Sequence, residues 1–154
     1  IQANDLLGRK LVRDKGLNAG ALISDMTAEL DALALTNDAD LSAIASAFKA
    51  ALGAFEEATA WLLARYDSDP REAVAGAVPY LKLTGIVVGG WHMAHAARIA
   101  RDLLSAGEEN TAFLHAKIAT ARFYAEHVLP EAAAARDEIT TGAGSTLALE
   151  ETSF

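Results

Sequence analysis

Asp40-Leu41-Ser42-Ala43-Ile44-Ala45-Ser46-Ala47-Phe48-Lys49-Ala50-Ala51-Leu52-Gly53-Ala54-Phe55 is the stretch that decides the fold. Leu41, Ile44, Phe48, Leu52 and Phe55 recur at steps of three and four, and Thr59, Leu62 and Tyr66 prolong the stripe. A half-buried strand alternates at steps of two. This spacing instead keeps one side of a helix apolar over nearly four heptads. Asp40 is a suitable N-cap, because a short carboxylate accepts from the free N–H groups of the first turn. A seam this long cannot stay in water alone and predicts the interior of a helix bundle.

The same reading extends in both directions. Upstream, a short helix is expected from about Ala3 to Asp14, stopped by Gly16. A second follows over Leu17 to Leu35 with Leu22, Met26, Leu30 and Leu33 on one side, closed by Thr36-Asn37-Asp38. Downstream, Asp69-Pro70-Arg71-Glu72 marks a helix start. Asp69 caps, Pro70 suits the first position and Glu72 can complete a capping box. That fourth helix is expected to run to about Ser105, with Gly107 as its stop and Glu108-Glu109 favouring the next N-terminus. The fifth carries Leu114, Ile118, Ala121, Ala125 and Val128 on one side. Pro130 should kink it, and Ala132 to Ile139 continue it. From Thr140 the periodicity fades; Gly142, Gly144 and Ser145 predict a mobile tail in which Leu147, Leu149 and Phe154 are the residues able to dock. Short connections between long helices imply antiparallel neighbours. The expectation is an all-α fold: an up-down-up-down four-helix bundle with a short extra N-terminal helix.

Composition agrees. Alanine, the best helix former, supplies 35 of the 154 residues, and only 3 are proline. The net charge of −8, with no basic run, excludes nucleic acid as a partner and disfavours an anionic membrane surface. Without cysteine there is no disulfide and no thiolate metal site, which is compatible with a cytoplasmic protein. The apolar stretch from Ala73 to Ala97 is interrupted by Pro79, Lys82, His92 and His95, so it reads as a buried helix and not as a membrane span.

Few residues propose chemistry. His92 and His95 are spaced to share a helix face and could bind a metal. The Glu-x-x-His pattern of di-iron bundles is missing, however: Gly89, His92, Ala112 and Tyr124 stand three residues before the four histidines. Packing or hydrogen bonding is the better reading for both, and more so for the isolated His115 and His127; no metal site is expected. Gly85 and Gly89, followed by Gly90, should let two helix backbones approach closely, since an interior glycine otherwise costs about 1 kcal/mol against alanine. A subunit contact is the alternative. Trp61, Trp91, Phe123 and Tyr124 read as core before they read as a ligand pocket. Glu56-Glu57 and Glu150-Glu151 read as solvated. Arg9-Lys10 could meet phosphates, but an exposed helix face explains them as well. No nucleophilic or paired-carboxylate constellation is present, so no catalytic residue is assigned.

The opening Ile1-Gln2-Ala3-Asn4-Asp5-Leu6-Leu7-Gly8-Arg9-Lys10-Leu11 carries a resemblance, as do Tyr80-Leu81-Lys82-Leu83-Thr84-Gly85-Ile86-Val87-Val88-Gly89-Gly90-Trp91 and Phe123-Tyr124-Ala125-Glu126-His127-Val128-Leu129-Pro130. Leu147-Ala148-Leu149-Glu150-Glu151-Thr152-Ser153-Phe154 adds the ending. Together, in this order, they resemble the C-terminal helical domain of bacterial acyl-CoA dehydrogenases of the long-chain and 3-methylmercaptopropionyl-CoA dehydrogenase-like subfamily. Asn4 departs from a position where that family commonly has a hydrophobic residue. In the family the opening stretch follows a Y-E-G-T-type motif that bears the catalytic glutamate in many members. The chain begins without methionine, so a piece of a longer protein is expected, with any such base upstream of Ile1. The resemblance implies residues 1–15 as the end of the catalytic region, 16–141 as a C-terminal bundle domain and 142–154 as a tail. It implies a parent that is FAD-dependent, homo-oligomeric and active on acyl-CoA thioesters, with no FAD expected in this piece. Its cofactor-binding residues here are unknown. The competing expectation is an independent helical bundle that binds a small ligand or a metal.

Overall fold

The computed structural model describes residues 1–149 and 151–153, apart from the side chain of Glu151. Every regular element among them is helical. Helix α1 (Gln2–Asn4) runs directly into a π-helix, π1 (Asp5–Val12). Then come α2 (Leu17–Ala34), α3 (Ala39–Ser68), α4 (Pro70–Ala75), α5 (Ala77–Ser105), α6 (Thr111–His127), α7 (Glu131–Thr141) and α8 (Ala143–Thr146).

The α3 stripe lies where its spacing puts it. Leu41, Ile44, Phe48, Leu52, Phe55, Thr59 and Leu62 are buried, and Tyr66 is half-buried at the end. The neighbours of α3 follow from a few contacts. Phe55 stacks on Tyr80 with ring centroids 5.6 Å apart, while Arg101 reaches Asp38 at 2.9 Å, so α5 runs antiparallel to α3. Thr59 and the Tyr80 hydroxyl share a buried hydrogen bond of 2.9 Å on the same interface. Burial pushes the Tyr80 phenol up to about 12, so it stays neutral in the core.

Several elements differ from the sequence expectation. The N-cap of α3 is Asp38, not Asp40: its carboxylate accepts from Leu41 N at 3.0 Å. Asp40 sits in the first turn and faces Arg101 and Arg122 at 3.5 and 3.4 Å. The Asp69 cap and Pro70 stand as expected, with Arg71 N donating to Asp69 Oδ1 at 3.0 Å. Glu72 does not complete a capping box; it pairs with Arg65 at 3.1 Å.

The fourth helix is not continuous. It breaks at Gly76 into α4 and α5, because Pro79 has no N–H to give to the carbonyl four residues earlier. The N-terminal helix is widened rather than regular: Arg13 N donates to Gly8 O and Gly16 N to Leu11 O, both across five residues. This brings Leu7 and Leu11 into the core. Gly16 ends the segment in the left-handed region at φ 80, a conformation that favours glycine.

Downstream, Leu114, Ile118, Ala121 and Ala125 are buried, and the chain turns at Val128 to Pro130 before α7. The tail is more ordered than expected. Residues 143–146 form α8, Ala143 is buried, and Leu147 shares a surface cleft with Pro70 and Val74 of α4. Leu149 is exposed, whereas Glu150 and Phe154 lie outside the described residues. Among the described residues no helix is long and apolar enough to cross a membrane.

Candidate functional site

The most unusual chemistry lies between α2 and α5. Glu29 is buried, on the stripe that carries Met26 and Leu33. Its three-and-four spacing from those two residues is the signal that could have found it, since a carboxylate there must enter the interface. Two residues of α5 meet it. Arg98 donates from Nε to Glu29 Oε1 at 2.6 Å and from a terminal nitrogen to Oε2 at 3.2 Å. His95 Nδ1 lies 2.7 Å from Oε2. That nitrogen is also 3.3 Å from an Arg98 donor, but it cannot accept there while giving its proton to the carboxylate. The shorter contact, to a charged acceptor, selects the Nδ1–H form.

Burial alone would push the Glu29 carboxyl up. The hydrogen bonds and charges of Arg98 and His95 outweigh it and hold the group below its ordinary value of 4.5. The same bond raises the Arg98 guanidinium. This arrangement is a closed ion-pair joint. Both carboxylate oxygens are occupied, so Glu29 is not poised as a base.

His92 does not join it. Its ring is exposed and stacks on Trp91 with centroids 4.8 Å apart. Among the described residues no three His, Asp or Glu side chains converge as metal ligands. His127 packs against Phe123 in a tilted pair, with centroids 4.4 Å apart. His115 shares a shallow surface cleft with Asp40 and Arg122.

The aromatic expectation needs correction. Phe123 is 59% exposed, while Trp61, Trp91 and Tyr124 are half-buried, so none forms the deep core, whose aromatics are Phe48, Phe55 and Tyr80. The sequence reading missed the difference because α6 is an edge helix, buried chiefly along the line through Leu114, Ile118, Ala121 and Ala125. Glu56 is exposed as expected, and Glu57, also exposed, pairs with Arg136.

The glycines are corrected as well. Gly89 makes room for a side chain, not for a second backbone: a Cβ there would collide with the Tyr124 hydroxyl. That hydroxyl donates to Ile86 O at 3.0 Å. Gly90 does the same for Leu129, whose methyl would lie 2.5 Å from a Cβ. Gly85 is exposed, with nothing within 4 Å of the Cβ position, so no packing among the described residues requires it.

A cleft of about 160 Å³ opens between π1, α2, α3 and α5, with Phe55 and Tyr80 among its walls and the exposed Lys10 and Asn18 in its lining. Arg9 is occupied by Asp5 at 3.0 Å. The cleft suits a small apolar group and is too small for a dinucleotide.

FAD needs a cradle for its pyrophosphate and room for its ring system. At Gly89 and Gly90 the room that a missing side chain would leave is filled by Tyr124 and Leu129. The one buried polar side-chain atom without a partner among the described residues, Arg101 Nε, belongs to the guanidinium that pairs with Asp38 and Asp40. Neither these two glycines nor this guanidinium forms a pyrophosphate cradle.

Comparison with known proteins identifies the family of this fold. A family described as acetyl-CoA dehydrogenase C-terminal like matches residues 22–150. A 3-methylmercaptopropionyl-CoA dehydrogenase from Ruegeria pomeroyi is 40% identical over 147 residues, covering 96% of this chain and 25% of that protein. A broad-specificity linear acyl-CoA dehydrogenase, FadE5, from Mycobacterium tuberculosis is 28% identical over 160 residues, covering 100% of this chain and 26% of that protein. The chain thus spans about a quarter of the length of these curated relatives. It belongs to the C-terminal-domain family of the acyl-CoA dehydrogenases.

Proposed function

We propose that this chain is the non-catalytic C-terminal domain of a FAD-dependent acyl-CoA dehydrogenase, an enzyme that introduces the α,β double bond into an acyl-CoA thioester. The observation that carries the reading is the similarity at 40% identity along 96% of this chain, confined to a quarter of a dehydrogenase. When bound in the parent, the flavin accepts the hydride; in this reading the flavin and the catalytic base belong to the other three quarters. The work of the residues here is mechanical. The helices α2, α3, α5 and α6–α7 form an up-down-up-down four-helix bundle. Residues 1–15 join it to the catalytic part, and 142–154 are its tail.

The joint has physical support. Leu7 and Leu11, from the segment we assign to the end of the catalytic region, are 1% and 2% exposed in the bundle core. The family match starts at residue 22, after them. A displacement of the catalytic part would therefore pull on the core, so the bundle can brace it and shape a homo-oligomer. The proposal carries the cytoplasmic location expected from the sequence. It assigns no catalytic, flavin-binding or metal-binding residue to this chain.

The coding sequence upstream of Ile1 tests this directly, because it should contain the flavin-binding region and a catalytic glutamate close to the junction. The purified 154-residue chain should be colourless and inactive with acyl-CoA and an artificial electron acceptor. Bound FAD with turnover would overturn the assignment. Flavin and activity in the longer protein alone would support it.

A further inference from the structure

One side of α5 is apolar and largely exposed among the described residues. Val78, Leu81, Gly85, Val88, His92 and Ile99 recur along it at heptad spacing. Val78 is 69% exposed, Leu81 37% and Ile99 40%. The line extends for roughly 30 Å at 1.5 Å per residue. It carries no Asp, Glu, Lys or Arg, in a chain whose residues are 22% charged. Such a stripe has the pattern of a helix-packing seam.

Gly85 sharpens the point. An exposed glycine within a long helix weakens it against alanine, and no neighbour among the described residues needs the space. At Gly89 and Gly90, by contrast, Tyr124 and Leu129 explain the missing side chains. A backbone arriving from outside would explain Gly85.

We propose that this seam of α5 docks a helix from the polypeptide that precedes Ile1, crossing closest at Gly85. The proposal rests on the function proposed above, in which about three quarters of the enzyme lies upstream. Chain geometry favours that occupant over a second copy. The π1 residues Leu6 and Lys10 share a cleft with Tyr80 and Thr84, the latter next to Gly85, and α1 packs on α5. The fully exposed Ile1 therefore delivers the upstream chain alongside this helix. Two identical copies would instead bring together chains of net charge −8 each.

Gly85→Cys tests the contact, because the chain has no cysteine of its own. Thiol labelling at position 85 is compared between the 154-residue chain and the longer polypeptide, read by peptide mass spectrometry. Ala60→Cys, on an exposed position of α3, serves as the reference, and circular dichroism confirms that both variants are folded. The expected result is fast labelling of the Gly85→Cys variant in the short chain and slowing by roughly tenfold or more in the long one, with the Ala60→Cys reference much less affected.

Equal labelling at position 85 in both forms overturns the proposal. Slow labelling there in the short chain, with sedimentation as a dimer, also overturns it and assigns the seam to a second copy. Flavin absorbance of the same long preparation separates the two claims. A flavoprotein whose thiol at position 85 is unprotected sinks the docking seam alone. A protected thiol at that position, in a protein that binds no flavin, supports the seam and sinks the assigned function.

Discussion

On one flank α5 meets α2 through Glu29, His95 and Arg98; on the other it meets α3, α6 and the turn after α6 through Phe55, Tyr80, Tyr124 and Leu129. The first joint is polar and thin: α2 contributes only Met26, Glu29 and Leu33 as buried residues. The second is apolar and interlocked, with side chains lodged against glycines. A buried carboxylate held by Arg98 and His95 gains little over a well-packed apolar contact, because its desolvation cancels much of the attraction. It does fix register, since Arg98 must meet both oxygens. We infer that the apolar side supplies most of the stability and the polar side sets where α2 lies.

Phe55→Ala strikes the apolar side. Phe55 is 2% exposed and stacked on Tyr80, so truncation removes the ring and leaves a cavity. A loss of about 3–5 kcal/mol is expected in urea unfolding of the 154-residue chain. A loss below about 1 kcal/mol would mean that the core collapses into the gap, and would remove the contrast between the two sides.

Arg98→Ala strikes the polar side and should cost roughly 2–3 kcal/mol, below the figure for a fully buried pair because Arg98 is 24% exposed. A larger loss than for Phe55→Ala would reverse the comparison. Acid titration isolates the carboxylate. The folded-state value of Glu29 is depressed, so its stabilising contribution is complete above its ordinary value of 4.5 and disappears as pH falls through the lower folded value. Glu29→Gln should flatten that acid limb of the stability profile. An unchanged slope below this point would show that Glu29 is not held by its partners in solution.

The fold was legible where a pattern repeats. The α3 stripe from Leu41 to Leu62 was readable because one spacing recurs often enough to outweigh any single residue. The site was much less so. Glu29 hides in a stripe otherwise read through Leu22, Met26, Leu30 and Leu33, and its partners stand 66 and 69 residues away. No local rule pairs residues at that separation; only the packing of α2 on α5 does. The break at Gly76 was misread for a related reason. Pro79 lies early enough to start a helix, so the sequence allows either a restart or a tolerated interruption. Gly85 and Gly89 look alike in sequence because spacing alone does not say which face of α5 is covered.

Gly89→Ala should destabilise by about 1–3 kcal/mol, because the new methyl displaces the Tyr124 ring and strains its hydrogen bond to Ile86 O. Gly89→Ala combined with Tyr124→Leu should recover part of this loss, since the shorter side chain vacates the space. If the double variant is no better than the sum of the single changes, Tyr124 is not what Gly89 accommodates.

Gly85→Ala carries the smallest expected effect, of opposite sign. The two glycines share one helix and are one turn apart, so backbone entropy and helix propensity favour alanine equally at both. Only the neighbours differ: Tyr124 at Gly89, open space at Gly85. In the 154-residue chain Gly85→Ala should therefore stabilise by up to about 1 kcal/mol, raising Tm by roughly 2–4 °C. In the longer protein the same methyl would project into the proposed docking seam, and the gain should vanish or reverse. The paired melting curves compare a propensity common to both forms with a contact confined to one. A Tm that rises equally in both would leave Gly85 without a packing role, and a Tm that falls in the short chain would show that its surroundings are closed even without the upstream polypeptide.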